Sequence, residues 1–377
     1  MRFIILLVCA FFTGCGSNTK EDKTKNEAPT TSTTIKYATG FTVAYRDGAK
    51  WVDVKYPFQG AESGYSYLLV EKGQPVPAHD IDTRVITIPL ETIVCTSTTH
   101  IPLLDYLNET DRLIGFPSLD YISSSAMRKR IDEGHVQELG VDKGMNLEVL
   151  AALQPSLVMG YTMSSDFGQF KKVEALGTPV VINAEYLEEH PLGRAEWIKF
   201  MAVFFDKERE ADSIFSIIES EYTKTSALVK NSKAKPTVIS GIVYGDTWFL
   251  PGGQNYAAKI LSDAGCDYLY KEDSSSGFLE LSFESVFTKA INADLWIGVG
   301  SYTSIQEIIV ADQRYSNLKA VKTKNVFTYN ARKGATGGSE FLELGYLRPD
   351  IILNDLVKIA YPELLPAYTL YFHKKLE

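Results

Sequence analysis

Residues 145–160 read MNLEVLAALQPSLVMG: an Asn, one acid two positions later, an apolar helix, and a hydrophobic strand ending in glycine. Asn146 has the chemistry of a helix N-cap, because its side-chain oxygen accepts a free N–H of the first turn. Glu148 then falls at the second helical position, where a carboxylate favours the helix dipole by about 0.3–1 kcal/mol. The stretch SFESVFTKAINADLWIG (282–298) repeats the arrangement, with Ser282 as cap, Glu284 as the acid and Gly298 at the strand's end. An amphipathic helix feeding a short apolar strand is half of a βαβ unit, so each stretch predicts a parallel sheet flanked by helices.

The alternation extends on both sides of each stretch. Around the first lie the strands TIVCTST (92–98), RLIGFPS (112–118) and PVVIN (179–183), with helices at IPLLDYLN (101–108) and FGQFKKVEALG (167–177). Around the second lie TVISGIVYG (237–245), the helix NYAAKILSDAG (255–265), VFTYN (326–330) and a closing helix from Pro349. Between the halves, 206–231 (DKEREADSIFSIIESEYTKTSALVKN) contains no Gly or Pro. It places Ala211, Ile214, Phe215, Ile218, Tyr222 and Val229 on one helical face, with Asp206 available as N-cap. The expected fold is therefore α/β: two parallel-sheet, Rossmann-like lobes at 91–190 and 233–377. Linking helices at 191–232 join them, built around one long rigid α-helix. A single helix makes a stiff joint, so closure between empty and filled states is expected to be small.

The segments before residue 91 have other characters. MRFIILLVCAFFTGC carries Arg2, an apolar run of signal-peptide length and small residues before Cys15. Phe12-Thr13-Gly14-Cys15 resembles the lipobox of bacterial lipoproteins, with Phe12 where leucine is usual. That resemblance implies a signal peptide at 1–14 and lipidation of Cys15, hence a lipid-anchored protein on the extracytoplasmic side of the cell envelope. Residues 15–35 are Thr-rich and polar, the composition of a tether. Residues 36–90 hold strand-like runs around a DG turn and read as a small N-terminal β extension.

Composition removes several function classes. The chain has 377 residues, 45% hydrophobic and 23% charged, and a net charge of −9 with no basic stripe, which argues against nucleic-acid binding. Cys95 and Cys266 read as buried free thiols, and no CxxC motif occurs. No GxSxG elbow, HExxH or P-loop is present, so a secreted hydrolase built on His100 with Ser97 and Asp120 is a poor alternative. Five histidines without a His-rich loop make a receptor for a free zinc or manganese ion another alternative, with only His100 and His190 near the expected cleft.

Two α/β lobes on one helix, with N-L-E-x-[LIV]-x-A-L-x-P-x-L-V in the first and S-x-E-x-V in the second, resemble a known family. It is that of the substrate-binding proteins of ABC importers for iron–siderophore complexes and cobalamin. The resemblance covers about residues 85–360, with Ser156 where the motif usually has Asp, and Ala293-Asp294-Leu295-Trp296 lacking the second motif's Pro. It implies a monomeric receptor without enzymatic activity, resident cofactor, bound nucleotide or resident metal. It further implies that Glu148 and Glu284 dock on arginines of the membrane permease. In open α/β sheets ligands bind beyond the carboxyl ends of the strands. On that basis the candidate ligand contacts are His100, Tyr121, Tyr161, Tyr244, Trp248, Phe249, Tyr302 and Arg332. Trp248 and Phe249 read as an exposed loop pair, and the GATGGS loop after Lys333 as a cradle of amides for an anionic group. Aromatics outnumber cations, which favours cobalamin or a hydrophobic siderophore, with haem also open. A purely adhesive lipoprotein is disfavoured by the paired acids.

Overall fold

The computed structural model describes residues 31–141 and 144–377, so the signal segment, Cys15 and most of the tether lie outside the described residues. The first lobe's sheet is parallel throughout, in the order Val180–Ile182, Leu157–Gly160, Ile93–Cys95, Leu113–Phe116, Gln137–Glu138. The second lobe's sheet runs Asp267–Tyr268, Thr237–Ser240, Leu295–Ile297, Val326–Thr328, Lys374–Lys375. Its first four strands are parallel, and the last returns antiparallel. Strands buried on both faces explain the continuous apolar runs of the sequence.

The linking helix is Glu208–Val229, about 33 Å long at ~1.5 Å per residue. It buries Ala211, Phe215, Ile218, Tyr222 and Val229, the face expected, together with Thr225, while Ile214 is partly buried. Asp206 is not its cap. That residue sits at φ +56, outside the helix, and its carboxylate receives Lys50 Nζ at 2.5 Å. A second helix, Pro191–Ala202, precedes it, and the closing helix Pro349–Ala360 packs along it.

The run 237–245 is not one strand. It breaks at Gly241 (φ +97), where a Cβ would stand 2.1 Å from the Phe249 carbonyl oxygen, so only glycine fits. Beyond the break, Ile242–Tyr244 pairs with Thr247–Pro251, which pairs with Phe278–Ser282, in a separate antiparallel sheet.

The N-terminal β extension is a five-stranded sheet, and it is welded to the linking segment by two buried carboxylates. Glu196 accepts backbone N–H groups from Lys36, Tyr37 and Ala38 and pairs with Lys199 at 3.0 Å. Glu188 accepts from the backbones of Thr39 and Gly40 and from Trp197 Nε1. A buried carboxylate is costly unless its oxygens are satisfied, and here the extension supplies the donors. Phe41 completes the joint against Trp197 and Phe200, with ring centroids 4.7 and 5.4 Å away.

Candidate functional site

The acid-bearing helices form as their caps dictate. Asn146 Oδ1 accepts from Glu148 N and Val149 N at 3.1 and 3.2 Å, starting the helix Leu147–Leu153. Ser282 Oγ accepts from Ser285 N at 3.3 Å, starting Phe283–Ala290, whose Phe283, Val286 and Ala290 face the core. Glu148 and Glu284 therefore both sit at the second helical position, and both are exposed. Each helix leads into a parallel strand, so its N-terminus lies at the carboxyl edge of its lobe's sheet.

The two acids differ in their surroundings. Glu148 makes no ion pair with any described residue. Glu284 Oε1 is held by Arg314 Nη1 at 2.7 Å, and the same guanidinium grips Asp312 and stacks 3.8 Å above the Phe283 ring. Asp246 lies 3.9 Å from it. The second knob is thus three carboxylates around one arginine.

Of the expected ligand contacts, Tyr121 (66% exposed) and Tyr244 (81%) stand free at the surface, whereas Tyr161, Tyr302 and Phe249 are half-buried. Trp248 is a correction. It lies within the antiparallel sheet rather than in a loop, is 0% exposed, and packs on Trp296, Phe283 and Tyr315, with Nε1 donating to the Ser240 carbonyl. The Gly245-Asp246 pair between Tyr244 and Thr247 is a two-residue hairpin signal that would have revealed this strand. His100 is likewise buried completely, at the head of the helix His100–Tyr106. Burial lowers its pKa to about 3, so the ring is neutral. His190 caps the helix Pro191–Ala202 and packs, tilted, against Tyr37 of the extension. Arg332 turns back on its own lobe, paired with Glu340 at 2.8 Å and lying over the Tyr371 ring.

The Gly-rich loop after Lys333 has another role than an anion cradle. Thr336 Oγ1 donates to the Asp120 carbonyl at 2.7 Å, and a Cβ on Gly338 would stand 2.2 Å from the Tyr121 carbonyl oxygen. The loop's glycines let second-lobe backbone lie directly on first-lobe backbone. Next to it, Glu343 reaches across and accepts the Ser123 and Ser124 N–H groups at 2.6 and 2.8 Å. Burial pushes the Glu343 carboxyl up to about 7, with the neighbouring Asp105 adding to the rise. An acid inside the apolar run FLELG was the available signal for this contact.

A second junction joins the lobes through Arg194. Its guanidinium lies 4.1 and 4.8 Å from the Tyr256 and Tyr346 rings of the second lobe and donates to the Tyr186 and Glu188 carbonyls of the first. Nearby, Glu185 accepts Thr99 Oγ1 at 2.5 Å, while burial raises its pKa. Glu185 Oε2, the Tyr256 hydroxyl and both His100 ring nitrogens are buried without a hydrogen-bond partner among the described residues. Buried polar atoms are rarely left so.

Comparison with known proteins accords with this architecture. A family model described as periplasmic binding protein matches residues 93–332. The uncharacterised lipoprotein MJ0878 of Methanocaldococcus jannaschii is 27% identical, over 99% of this chain and 94% of its own. Among solved structures, a nickel–histidine complex of CeuE from Helicobacter pylori superposes with a TM-score of 0.58 at 16% identity, covering 83% of this chain and 90% of that one. The periplasmic haem-binding protein HutB of Vibrio cholerae gives 0.55 at 14%, covering 70% and 99%. At these identities the likeness to solved structures is one of fold. The family match over more than half of the sequence goes further: this chain belongs to the periplasmic binding protein family.

Proposed function

We propose that this chain is the extracytoplasmic solute receptor of an ABC importer, that it holds a metal chelate between its lobes, and that it docks on the permease through Glu148 and Glu284. The observation that carries the docking is the pair of exposed carboxylates, each at the second position of a side-chain-capped helix on the carboxyl edge of its sheet. An exposed Glu–Arg pair adds modest affinity but orients the encounter, and two such pairs seat one lobe on each half of a two-fold permease. Support for a chelate comes from the haem and nickel–histidine named for the structural neighbours, and from the tyrosines at the strand ends. Among the described residues no cluster of three or more His, Cys, Asp or Glu is placed to hold a bare ion. The ligand is a neutral or weakly charged chelate of the hydrophobic siderophore, cobalamin or haem kind. The arginines nearest the lobe junctions are already engaged, Arg332 with Glu340 and Arg194 with two rings and two carbonyls. Lipidation of Cys15 keeps the receptor at the membrane, in keeping with a relative named a lipoprotein.

The test is the double variant Glu148→Ala with Glu284→Ala. Solute affinity stays at the wild-type value, while binding to the permease falls by on the order of tenfold and uptake falls with it. Normal uptake by the double variant would overturn the docking assignment.

A further inference from the structure

The N-terminal sheet leaves a loop, residues 55–64, between its strands Ala49–Val54 and Tyr65–Glu71. This loop does not stay with its own sheet. Phe58 meets Phe167 edge-on at 5.6 Å, and Phe167 stands at the head of the helix Gly168–Ala175, beyond the carboxyl end of the first-lobe strand Leu157–Gly160. The Tyr186 hydroxyl, near the Gln59 backbone, donates to the Thr162 carbonyl at 2.7 Å. The Gln59 side-chain amide approaches the second lobe, with Nε2 3.9 Å from where a Cβ on Gly277 would stand.

Gly277 is close to the junction already described. Its carbonyl accepts from Gly252 N and from Asn255 Nδ2, and Asn255 caps the helix that begins with Tyr256. Tyr256 lies over Arg194, and Arg194 donates to the Tyr186 carbonyl. With Phe58 seated on the first lobe and the Gln59 amide approaching Gly277 of the second, Gln59 stands between the lobes near the place where Arg194 joins them. Tyr56 (53% exposed), in the same loop, and Phe278 (70%), which follows Gly277 in the chain, leave apolar surface open nearby.

We propose that residues 55–64 form a third wall of the solute cleft and that Gln59 is a specificity-determining residue in it, a refinement that rests on the receptor reading above. A primary amide offers two donors and one acceptor without charge. With exposed aromatic residues in the same loop and next to Gly277, it suits a chelate whose periphery carries carbonyl, amide or hydroxyl groups on an apolar frame. It offers nothing to balance a polyanionic complex. The extension thus contributes to what is bound as well as to the stability of the linking helices.

Calorimetric titration of the full chain with cyanocobalamin, with haem and with a neutral ferric trihydroxamate tests this. Gln59→Ala weakens the chelate that binds by about fivefold, the loss of one neutral hydrogen bond. Gln59→Trp, which adds a bulky ring where the loop approaches Gly277, weakens it by more than about tenfold, since a clash forfeits more than one contact. Both variants melt at the wild-type temperature. Wild-type affinity in both would remove the wall. If the unaltered protein takes up none of the three probes, the chelate reading fails, and the wall is judged separately by nitroxides on Gln59→Cys and Phe278→Cys. Dipolar broadening of their spectrum places the loop across the cleft; a spectrum equal to the sum of the single labels overturns the proposal.

Discussion

Glu343→Gln isolates the carboxylate that crosses between the lobes. In the native chain Glu343 is 3% exposed, accepts the N–H groups of Ser123 and Ser124, and lies near the carboxylate of Asp105. Its pKa is raised from 4.5 to about 7, chiefly by burial, so the folded state holds this proton more tightly than the unfolded chain does. The stability linked to it is fully present below pH 4.5 and is lost as pH rises through about 7. At about 1.4 kcal/mol per pH unit, the loss across that interval is on the order of 3 kcal/mol. The variant cannot titrate there, but its amide has one acceptor for two N–H groups, a pH-independent cost of about 1–3 kcal/mol. Urea unfolding at half-unit steps from pH 4.5 to 8 gives both curves. The wild type should decline more steeply than the variant up to about pH 7, and the two should run parallel above it. Curves parallel throughout would refute the reasoning, showing that Glu343 is ionised in the folded state at every pH sampled.

Other perturbations separate structural from functional roles. Trp248→Ala removes a fully buried ring packed on three aromatics and should cost about 3–5 kcal/mol, read as a fall in melting temperature. Wild-type stability with weakened solute binding would restore Trp248 to the cleft. Gly338→Ala brings a methyl group against the Tyr121 carbonyl and forces the loop off the first lobe. Faster amide exchange at residues 120–124, with no change near the linking helix, is the expected result; unchanged exchange there would mean that the loop yields without parting the lobes.

How the chain would fold was largely legible where the signals are local. The caps Asn146 and Ser282, the apolar face of 208–229 and the β–α alternation depend on neighbours within a few residues, and the structure follows them. Cys95 and Cys266 are buried and free, as their apolar surroundings implied. The same local logic put Glu148 and Glu284 at matching exposed positions.

What the tertiary structure decided is which polar and aromatic groups would be covered. Trp248 in TWFLP has the composition of a ligand-binding loop, and only the arrival of Trp296 and Tyr315 from later strands and turns makes it core. Glu188 and Glu196 look like ordinary surface acids until the backbone of residues 36–40 reaches them from some 150 positions away. Glu343 and Arg194 join the lobes, and Gln59 approaches the second, through residues far apart in sequence. Helix caps and strand periodicity are energies between near neighbours, so a sequence displays them. Burial, by contrast, depends on what else occupies the same space, and that is settled only when distant segments pack together.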